Sequence, residues 1–148
     1  MSAKILSVNV SKKKGVVKDP VPEAILKEDH GIIGDIHAGP GDKQVSFLAQ
    51  ESVDAFQAQT DVCLKKGIFA ENITTQGINL RELNLGQIIQ INDCILEVSK
   101  KGKECHQYCN IAKIAGKCIM PKECIFCRVI KGGKIKPGDE IIVTEASN

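Results

Sequence analysis

Short apolar runs, each bounded by glycine, proline or charged residues, recur along most of the chain. Residues 3–11 are the clearest case, because apolar and polar residues alternate there as in a strand with one buried face. The same character predicts three further extended segments, at residues 22–29, 43–50 and 68–75. Residues 86–102 predict two strands joined at a turn of Asn92 and Asp93, and residues 124–146 predict two more.

One segment has the spacing of a helix. In residues 50–59, Val53 and Phe56 lie three positions apart with Ala55 near the same face, and Ser52 is a candidate N-terminal cap. Many short strands with one to three short helices predict a mainly β protein. A closed or nearly closed β-barrel is expected, because closure removes exposed strand edges. A two-sheet sandwich is the alternative.

Length and composition restrict the classes of protein. The chain has 148 residues, which suits a single domain over residues 1–148. A net charge of +2 and an aromatic content of 3% argue against nucleic-acid binding. No apolar run approaches the roughly 20 residues of a membrane span, and no apolar signal segment follows Met1, so a cytoplasmic protein is expected. Thiols usually stay free or bind metal in that compartment, which disfavours a disulfide scaffold.

A glycine-rich loop is predicted between the second and third strands. Residues 29–46 contain four glycines, two histidines and three aspartates. Such a loop can present backbone N–H groups to an anion, with Lys43 adding charge. Asp35 lies two positions before His37 and could orient its ring. The alternative is a solvated surface turn, which is common in β proteins.

A second group of polar residues lies among apolar neighbours in residues 69–80. Glu71 and Asn72 stand between apolar positions, as do Thr74 and Thr75. If these side chains are buried they need hydrogen-bond partners. They either brace a neighbouring loop or contact a ligand, and spacing alone does not separate the two.

Five of the seven cysteines lie between residues 101 and 127. Cys105 and Cys109 would share one face of a helix that starts near Cys105, and Cys124 and Cys127 have the C-x-x-C spacing of a zinc site. With Cys118 nearby, a zinc-binding module is one hypothesis. However, the sequence around Cys124 is typical of a strand, which would turn Cys124 and Cys127 to opposite faces, so we predict that these two do not chelate one ion.

Cys105 has a distinctive local environment. It follows a basic segment, residues 100–104, at the expected entrance of a helix, and both features favour the thiolate. His106 is next to it and could assist. A thiolate of this kind suits sulfur transfer, a persulfide or a soft-metal ligand. Cys63 and Cys94 have apolar neighbours and are expected to fill small spaces in the core.

Taken in order, these segments resemble the MOSC domain, named for the C-terminal domain of molybdenum-cofactor sulfurases. The resemblance is to short, stand-alone bacterial members and rests on four segments: residues 31–48, 67–83, 85–105 and 127–143. It implies a barrel-like β fold and a role in binding molybdenum cofactor or in handling sulfur for it. The hallmark cysteine of the family falls at Cys105, which would also be the molybdenum ligand if the cofactor is bound.

The resemblance implies a molybdenum-cofactor-binding or sulfur-carrier protein, acting through Cys105 with His106. The residues expected at the cofactor are Asp35, His37, Lys43, Glu71, Asn72 and Arg128. A molybdoenzyme or a pyridoxal-phosphate-dependent cysteine desulfurase would be the partner. The chain has no aminotransferase-like segment, so it is not itself a complete desulfurase, although a sulfur-transfer or cofactor-dependent activity is compatible with it. The alternative is a non-enzymatic zinc module built on the cysteines between Cys105 and Cys127.

Overall fold

The computed structural model of the chain describes residues 3–13, 16–102 and 120–144. Eleven strands lie in these ranges: β1 (Ala3–Val10), β2 (Asp19–Val21), β3 (Ala24–Lys27), β4 (Gly31–Ile32), β5 (Val45–Ala49), β6 (Ile73–Gln76), β7 (Ile88–Ile91), β8 (Cys94–Lys101), β9 (Ile125–Lys131), β10 (Gly133–Ile135) and β11 (Glu140–Thr144). Two α-helices are described, α1 (Gln50–Gln57) and α2 (Met120–Glu123), with a 3-10 turn at Leu80–Glu82.

Seven strands close into a barrel in the order β1, β6, β5, β9, β8, β7 and β11. The last strand returns to the first, with Ala3 opposite Ile141 and Lys4 opposite Glu140. Helix α1 connects β5 to β6, and these two strands form the only parallel pair in the described ranges. The barrel prediction is therefore confirmed, and the sandwich alternative is wrong.

Short strands extend this barrel. Strand β2 pairs with the C-terminal end of β1, from Val8 to Val10. Strands β10, β3 and β4 form a separate three-stranded sheet. Leu26, Ile32 and Ile135 of that small sheet belong to the same apolar cluster as the barrel interior. Residues 124–146 therefore hold three strands and not the predicted two, because Gly133–Ile135 pairs with β3 before the chain turns back.

Most of the predicted elements are found with small changes at their ends, but the segment predicted to be extended at residues 68–75 is a strand only from Ile73, because the chain turns at residues 68–72. The turn at Asn92 is confirmed, and Asn92 has the positive φ (54°) that a tight hairpin favours. Helix α1 begins at Gln50, so Ser52 lies inside it and the capping prediction is wrong. Val53 and Phe56 are buried as expected, whereas Ala55 is exposed. The helix predicted after Cys105 falls outside the described residues.

Strand β9 separates two apolar cores. Ile125 and Cys127 face the barrel interior, while Cys124 and Phe126 belong to a second cluster outside the barrel. This second core packs under α1 and the segment between α1 and β6, with Phe56 and Phe69 at its centre. The prediction that Cys124 and Cys127 point to opposite faces is confirmed, and within the described ranges no three His, Cys, Asp or Glu side chains come together as a metal site.

The two cysteines expected in the core differ. Cys94 is fully buried in the barrel interior, as predicted. Cys63 is exposed, and the prediction is wrong for it. The reason is local: Val62 and Leu64 on either side pack against the second core, which leaves the intervening thiol outside it. No helix in the described parts of the chain is long and apolar enough to cross a bilayer.

Candidate functional site

A buried layer of polar side chains covers the outer face of β1, β6 and β5. Val8, Phe47 and Ile73 belong to the barrel core, so the alternation of each strand turns its polar neighbours outward. Three of these outward residues are nevertheless buried: Asn9, Ser46 and Thr74. Because buried polar groups need partners, the segments that cover this face must supply them.

Asn72 ties β5 to β1 across β6. Its Oδ1 accepts hydrogen bonds from the backbone N–H (3.0 Å) and the hydroxyl (3.2 Å) of Ser46, and its Nδ2 donates to the carbonyl of Asn9 at 3.2 Å. The Asn9 side chain donates onward to the Thr74 hydroxyl at 3.2 Å. Each residue in the series Ser46, Asn72, Asn9 and Thr74 is hydrogen-bonded to the next. The layer is therefore one connected network.

Glu71 is the carboxylate of this network and is completely buried. Its Oε1 accepts from the backbone N–H of Phe69 at 3.2 Å, and its Oε2 accepts from the Thr74 hydroxyl at 2.9 Å. Burial raises the pKa of Glu71, and hydrogen bonds from its own backbone, Thr74, Gly67 and Phe69 offset part of that rise. Bonds of this kind favour the bracing alternative for Glu71 and Asn72 over direct contact with a ligand.

Lys18 extends the network under the glycine-rich loop. The residue is 1% exposed, which is rare for lysine unless it is paired. Its Nζ donates to Asp35 Oδ1 at 2.7 Å and to Ser11 Oγ at 3.1 Å, and lies 2.9 Å from His37 Nδ1. Lys18 therefore joins two of the predicted site residues, Asp35 and His37, in one buried group.

Asp35 is held as a carboxylate inside this group. Burial by itself would raise the pKa of Asp35, but hydrogen bonds from Lys18 and the Ser11 backbone and the charge of Lys18 outweigh it and lower that pKa. Its Oδ2 accepts from the backbone N–H of His37 at 3.1 Å, and lies 3.9 Å from the ring Nδ1. Asp35 thus orients His37 through its backbone and through Lys18, and not by the direct bond to the ring that the sequence suggested.

The glycine-rich loop uses its amides internally. Each backbone N–H from Asp35 to Gly39 donates within the protein, in order to Ile32 O, Ser11 O, Asp35 Oδ2, Asp35 O and His30 O. These five groups therefore do not form the open anion cradle expected from the glycine content. The bonds instead fix the loop over the ends of β1 and β4.

Lys43 and Arg128 are the two remaining predicted cationic residues, and Arg128 lines a different cleft from Lys18. Lys43 is exposed. Arg128 is 46% exposed, bonds Glu97 at 3.2 Å, and borders a cleft of about 490 Å³ with Asp42 and Ser99. The Ser99 hydroxyl donates to the Asp42 carbonyl at 2.7 Å, which attaches the end of the glycine-rich loop to β8.

The predicted sulfur-handling residues Cys105 and His106 lie outside the described residues, so their placement relative to Asp35, His37 and Lys43 stays a prediction. The described chain before them ends at Gly102, whose N–H donates to the carbonyl of Cys124 at 2.7 Å. A cleft of about 240 Å³ opens at this point. It is lined by three basic residues, Arg81, Lys101 and Lys122, together with Gly102, Cys124 and Ile125.

Lys18 is the functional candidate that sequence reasoning missed. It stands in a short segment, Val17–Pro20, with no motif, and two of its partners, Asp35 and His37, are 17 and 19 positions away. The polar face of β1 carried a usable signal, since small polar residues recur at Ser7, Asn9 and Ser11. Two of them on the outer face of β1 and a third directly after its last residue indicate a covering polar layer.

One known protein family matches most of this chain. A family model described as the MOSC domain matches residues 34–142, which include the glycine-rich loop from Gly34 onward, Glu71, Cys105 and the strands from β5 to β9. No curated protein matches the chain. The segment matched is the one in which the candidate residues lie, apart from Lys18.

Solved structures with the same fold include two named proteins. YuaD from Bacillus subtilis is 19% identical, with a TM-score of 0.81 over 99% of this chain and 98% of that one. YiiM from Geobacillus stearothermophilus is 23% identical, with a TM-score of 0.77 over 97% of this chain and 75% of that one. YiiM from Escherichia coli is 18% identical, with a TM-score of 0.69 over 98% and 70%. At these identities the likeness establishes the fold alone.

Proposed function

We propose that this chain, which belongs to the MOSC domain family, is a molybdenum-cofactor-associated protein that handles sulfur through Cys105. The observation that carries the proposal is the family match over residues 34–142, which includes Cys105, four positions after the last residue of β8 in the sequence. MOSC domains are associated with molybdenum-cofactor-related sulfur transfer. The zinc-module alternative receives no support from the described residues, where Cys124 and Cys127 belong to different cores.

The basic cleft beside Gly102 supports this function. Arg81, Lys101 and Lys122 border the point from which the chain runs on to Cys105. Cationic groups stabilise a thiolate or a persulfide, which are the forms of cysteine that transfer sulfur. Lys18 does not serve this purpose in the same way, because its charge is fully buried against Asp35 at 2.7 Å. Arg81 also has a carboxylate partner, Glu123 at 3.6 Å, but the arginine side chain is 64% exposed.

Sulfur transfer to Cys105 requires a donor persulfide, for which a cysteine desulfurase is the proposed partner. The Cys105 thiolate attacks the outer sulfur of the donor, a new S–S bond forms on Cys105, and the donor S–S bond breaks. The electron pair of the broken bond stays on the donor as a thiolate, so no external oxidant is needed. A molybdoenzyme or its cofactor is the proposed acceptor of that sulfur.

The donor set also fits molybdenum cofactor. A cysteine thiolate is a suitable soft ligand for a transition metal, and a pterin phosphate requires cationic partners. Cys105 would hold the metal, and Arg81, Lys101 and Lys122 would hold the phosphate. When bound, the cofactor would supply a metal centre for sulfur- or oxygen-atom transfer. Asp35, His37 and the Lys18 group are proposed to border the same site.

The proposal is tested by mass spectrometry of the intact, natively purified protein. The wild type is incubated with a cysteine desulfurase and cysteine, and we expect the mass of one added sulfur, mapped to the peptide that contains Cys105. Cys105→Ser should lose it, whereas Cys63→Ser, which removes an exposed thiol elsewhere in the chain, should retain it. Added sulfur that persists in Cys105→Ser would overturn the assignment. The same spectra report bound pterin or zinc.

A further inference from the structure

Two clefts of the molecule share Arg81 as a lining residue. The basic cleft beside Gly102 is bordered by Arg81, Lys101 and Lys122. A larger cleft of about 790 Å³ is lined by residues of helix α1 and of the 3-10 turn, and Arg81 belongs to that turn. A volume of this size is within the range of pockets that hold small organic molecules. Arg81 is therefore in a position to contact one ligand that extends across both clefts.

The backbone of Arg81 is held from both sides. Its N–H donates to Asn79 Oδ1 at 3.2 Å, and its carbonyl accepts from Lys101 Nζ at 2.8 Å. The preceding residue, Leu80, is buried in the barrel core. These contacts fix the point from which the Arg81 side chain extends, so a ligand does not need to order this turn when it binds.

The guanidinium of Arg81 is held much less firmly than its backbone. Its ion-pair partner among the described residues is Glu123, whose Oε2 lies 3.6 Å from Nε, too far for a hydrogen bond. The Arg81 side chain is 64% exposed. An arginine has five N–H donors in a planar fork. Because Glu123 lies on the Nε side, the outer edge formed by the two Nη groups can bind an oxyanion through two parallel hydrogen bonds.

The two clefts differ in charge, and this difference sets the direction of a ligand that spans them. The basic cleft is lined by three cationic side chains, whereas the larger cleft is lined by three carboxylates besides Arg81: Glu51, Glu82 and Glu123. An oxyanion is stabilised at the basic end and repelled by the carboxylates. A group with N–H donors suits the acidic end, because an ionised carboxylate only accepts hydrogen bonds.

We propose that the two clefts form one binding site for a phosphate monoester of a heterocycle that carries N–H donors, and that Arg81 determines its specificity. The Nη edge of Arg81 binds the phosphate at the basic cleft, and the heterocycle lies in the larger cleft beside Ala55 of α1. This inference rests on the proposed function, in which the cofactor contains a pterin and a phosphate. It adds the place of the ring and the role of Arg81.

Two metal-free probes test the proposal in the full-length protein: inorganic phosphate and the phosphate monoester of hydroxymethylpterin. The dissociation constants of both are measured by isothermal titration calorimetry. We expect the wild type to bind the pterin phosphate about tenfold or more tightly than inorganic phosphate, because the ring adds contacts in the larger cleft. Equal dissociation constants, or no binding of either probe, would overturn the proposal.

Arg81→Lys tests the phosphate end of the site. Lysine keeps the positive charge but lacks the planar fork of arginine. We therefore expect this variant to bind both probes about tenfold more weakly than the wild type does. An unchanged dissociation constant for inorganic phosphate would overturn the role of Arg81.

Ala55→Trp tests the ring end of the site. Ala55 is exposed and lines the larger cleft, so a tryptophan side chain there fills the space assigned to the ring. We expect the pterin phosphate to lose its advantage over inorganic phosphate, whose own dissociation constant stays unchanged. Ala58→Trp is the matched control, because Ala58 is exposed at the end of the same helix, outside that cleft, and it should change neither value. Retention of the full advantage in Ala55→Trp would overturn the placement of the ring.

The outcome is separable from that of the proposed function. If both probes bind as expected while Cys105 takes up no sulfur, the proposed sulfur handling fails and the phosphate monoester site stands. If Cys105 takes up sulfur while Arg81→Lys binds inorganic phosphate as tightly as the wild type, the role assigned to Arg81 is wrong. Guanosine monophosphate has the same two kinds of group as the pterin phosphate. Tighter binding of this nucleotide would identify a nucleotide site and overturn the link to the cofactor.

Discussion

The two faces of the barrel wall are built by different physical means. The inner face is an apolar core in which Ile5, Phe47 and Ile89 are completely buried. The outer face of β1 and β6 is equally buried, but by polar groups such as Asn9 and Thr74, with Glu71 just before β6. Removing a side chain inside the barrel leaves a cavity, whereas removing one outside it leaves a donor or acceptor without its partner. The outer layer should therefore be less tolerant of small chemical changes.

The largest effect is expected at Lys18. Lys18→Met keeps the volume but leaves the Asp35 carboxylate buried without its cation, and breaking a buried pair in this way costs about 3–5 kcal/mol. The free energy of unfolding, measured by urea denaturation, should fall by about that amount. The matched control is the exposed Lys65→Met, which should leave it unchanged. A loss at Lys18 no larger than that of the control would show that the buried pair contributes nothing to stability.

The second-largest loss of stability is expected for a substitution of Asn72. Asn72→Ala removes the bonds to Ser46 and Asn9 and leaves their buried groups without partners, which costs about 1–3 kcal/mol. Asn84→Ala is the control, because Asn84 is an exposed asparagine. Equal unfolding midpoints for the two variants would contradict the view that the outer layer is a connected network.

The inner face should respond more mildly to a conservative change. Ile89→Val deletes one buried methylene from the barrel core, and such a deletion costs about 0.5–1.5 kcal/mol. Ile142→Val, at a position that is 47% exposed, is the matched control and should have little effect. If Ile89→Val proved as damaging as Asn72→Ala, the proposed difference between the two faces would disappear.

The smallest effect is the pH dependence contributed by Glu71. Its pKa is raised in the folded state by burial, so the folded protein holds this proton more tightly than the unfolded chain. The stability contributed by the protonated form is thus full below the unfolded pKa and is lost as pH rises toward the folded pKa. Urea denaturation of Glu71→Gln at a series of pH values should show no such loss in the free energy of unfolding.

The pH dependence of stability contributed by Asp35 has the opposite sign to that of Glu71, so Asp35 serves as the comparison. Its pKa is lowered in the folded state, so its contribution is present above the unfolded pKa and is lost as pH falls through the folded pKa. In a plot of the free energy of unfolding against pH, Asp35→Asn should therefore reduce the fall in stability toward acid pH. Glu71→Gln should reduce the fall in stability as pH rises above the unfolded pKa of a glutamate. Profiles of both variants parallel to the wild type would contradict the two assignments.

The inner face could be predicted from sequence, and the outer layer only in part. Alternation predicted β1, and short apolar runs bounded by turn residues predicted β5, β7 and β8, because these signals are local in the sequence. Lys18 escaped prediction because its burial depends on Asp35 and His37, which approach it only in the folded chain. The exposure of Cys63 was not predicted for a related reason. Apolar neighbours indicate that a segment is buried, but they do not indicate which of its side chains points outward.

The central claim, that Cys105 is the sulfur-handling thiol, is tested most directly by limited alkylation of the native protein at neutral pH with peptide mapping. Cys63 provides an internal reference for an exposed thiol, and Cys94 and Cys127 for buried ones, since burial raises the pKa of both. The account predicts that Cys105 is labelled first, ahead of Cys63, with Cys94 and Cys127 last. Labelling of Cys109, Cys118 or Cys124 well before Cys105 would contradict it and move the site to that thiol.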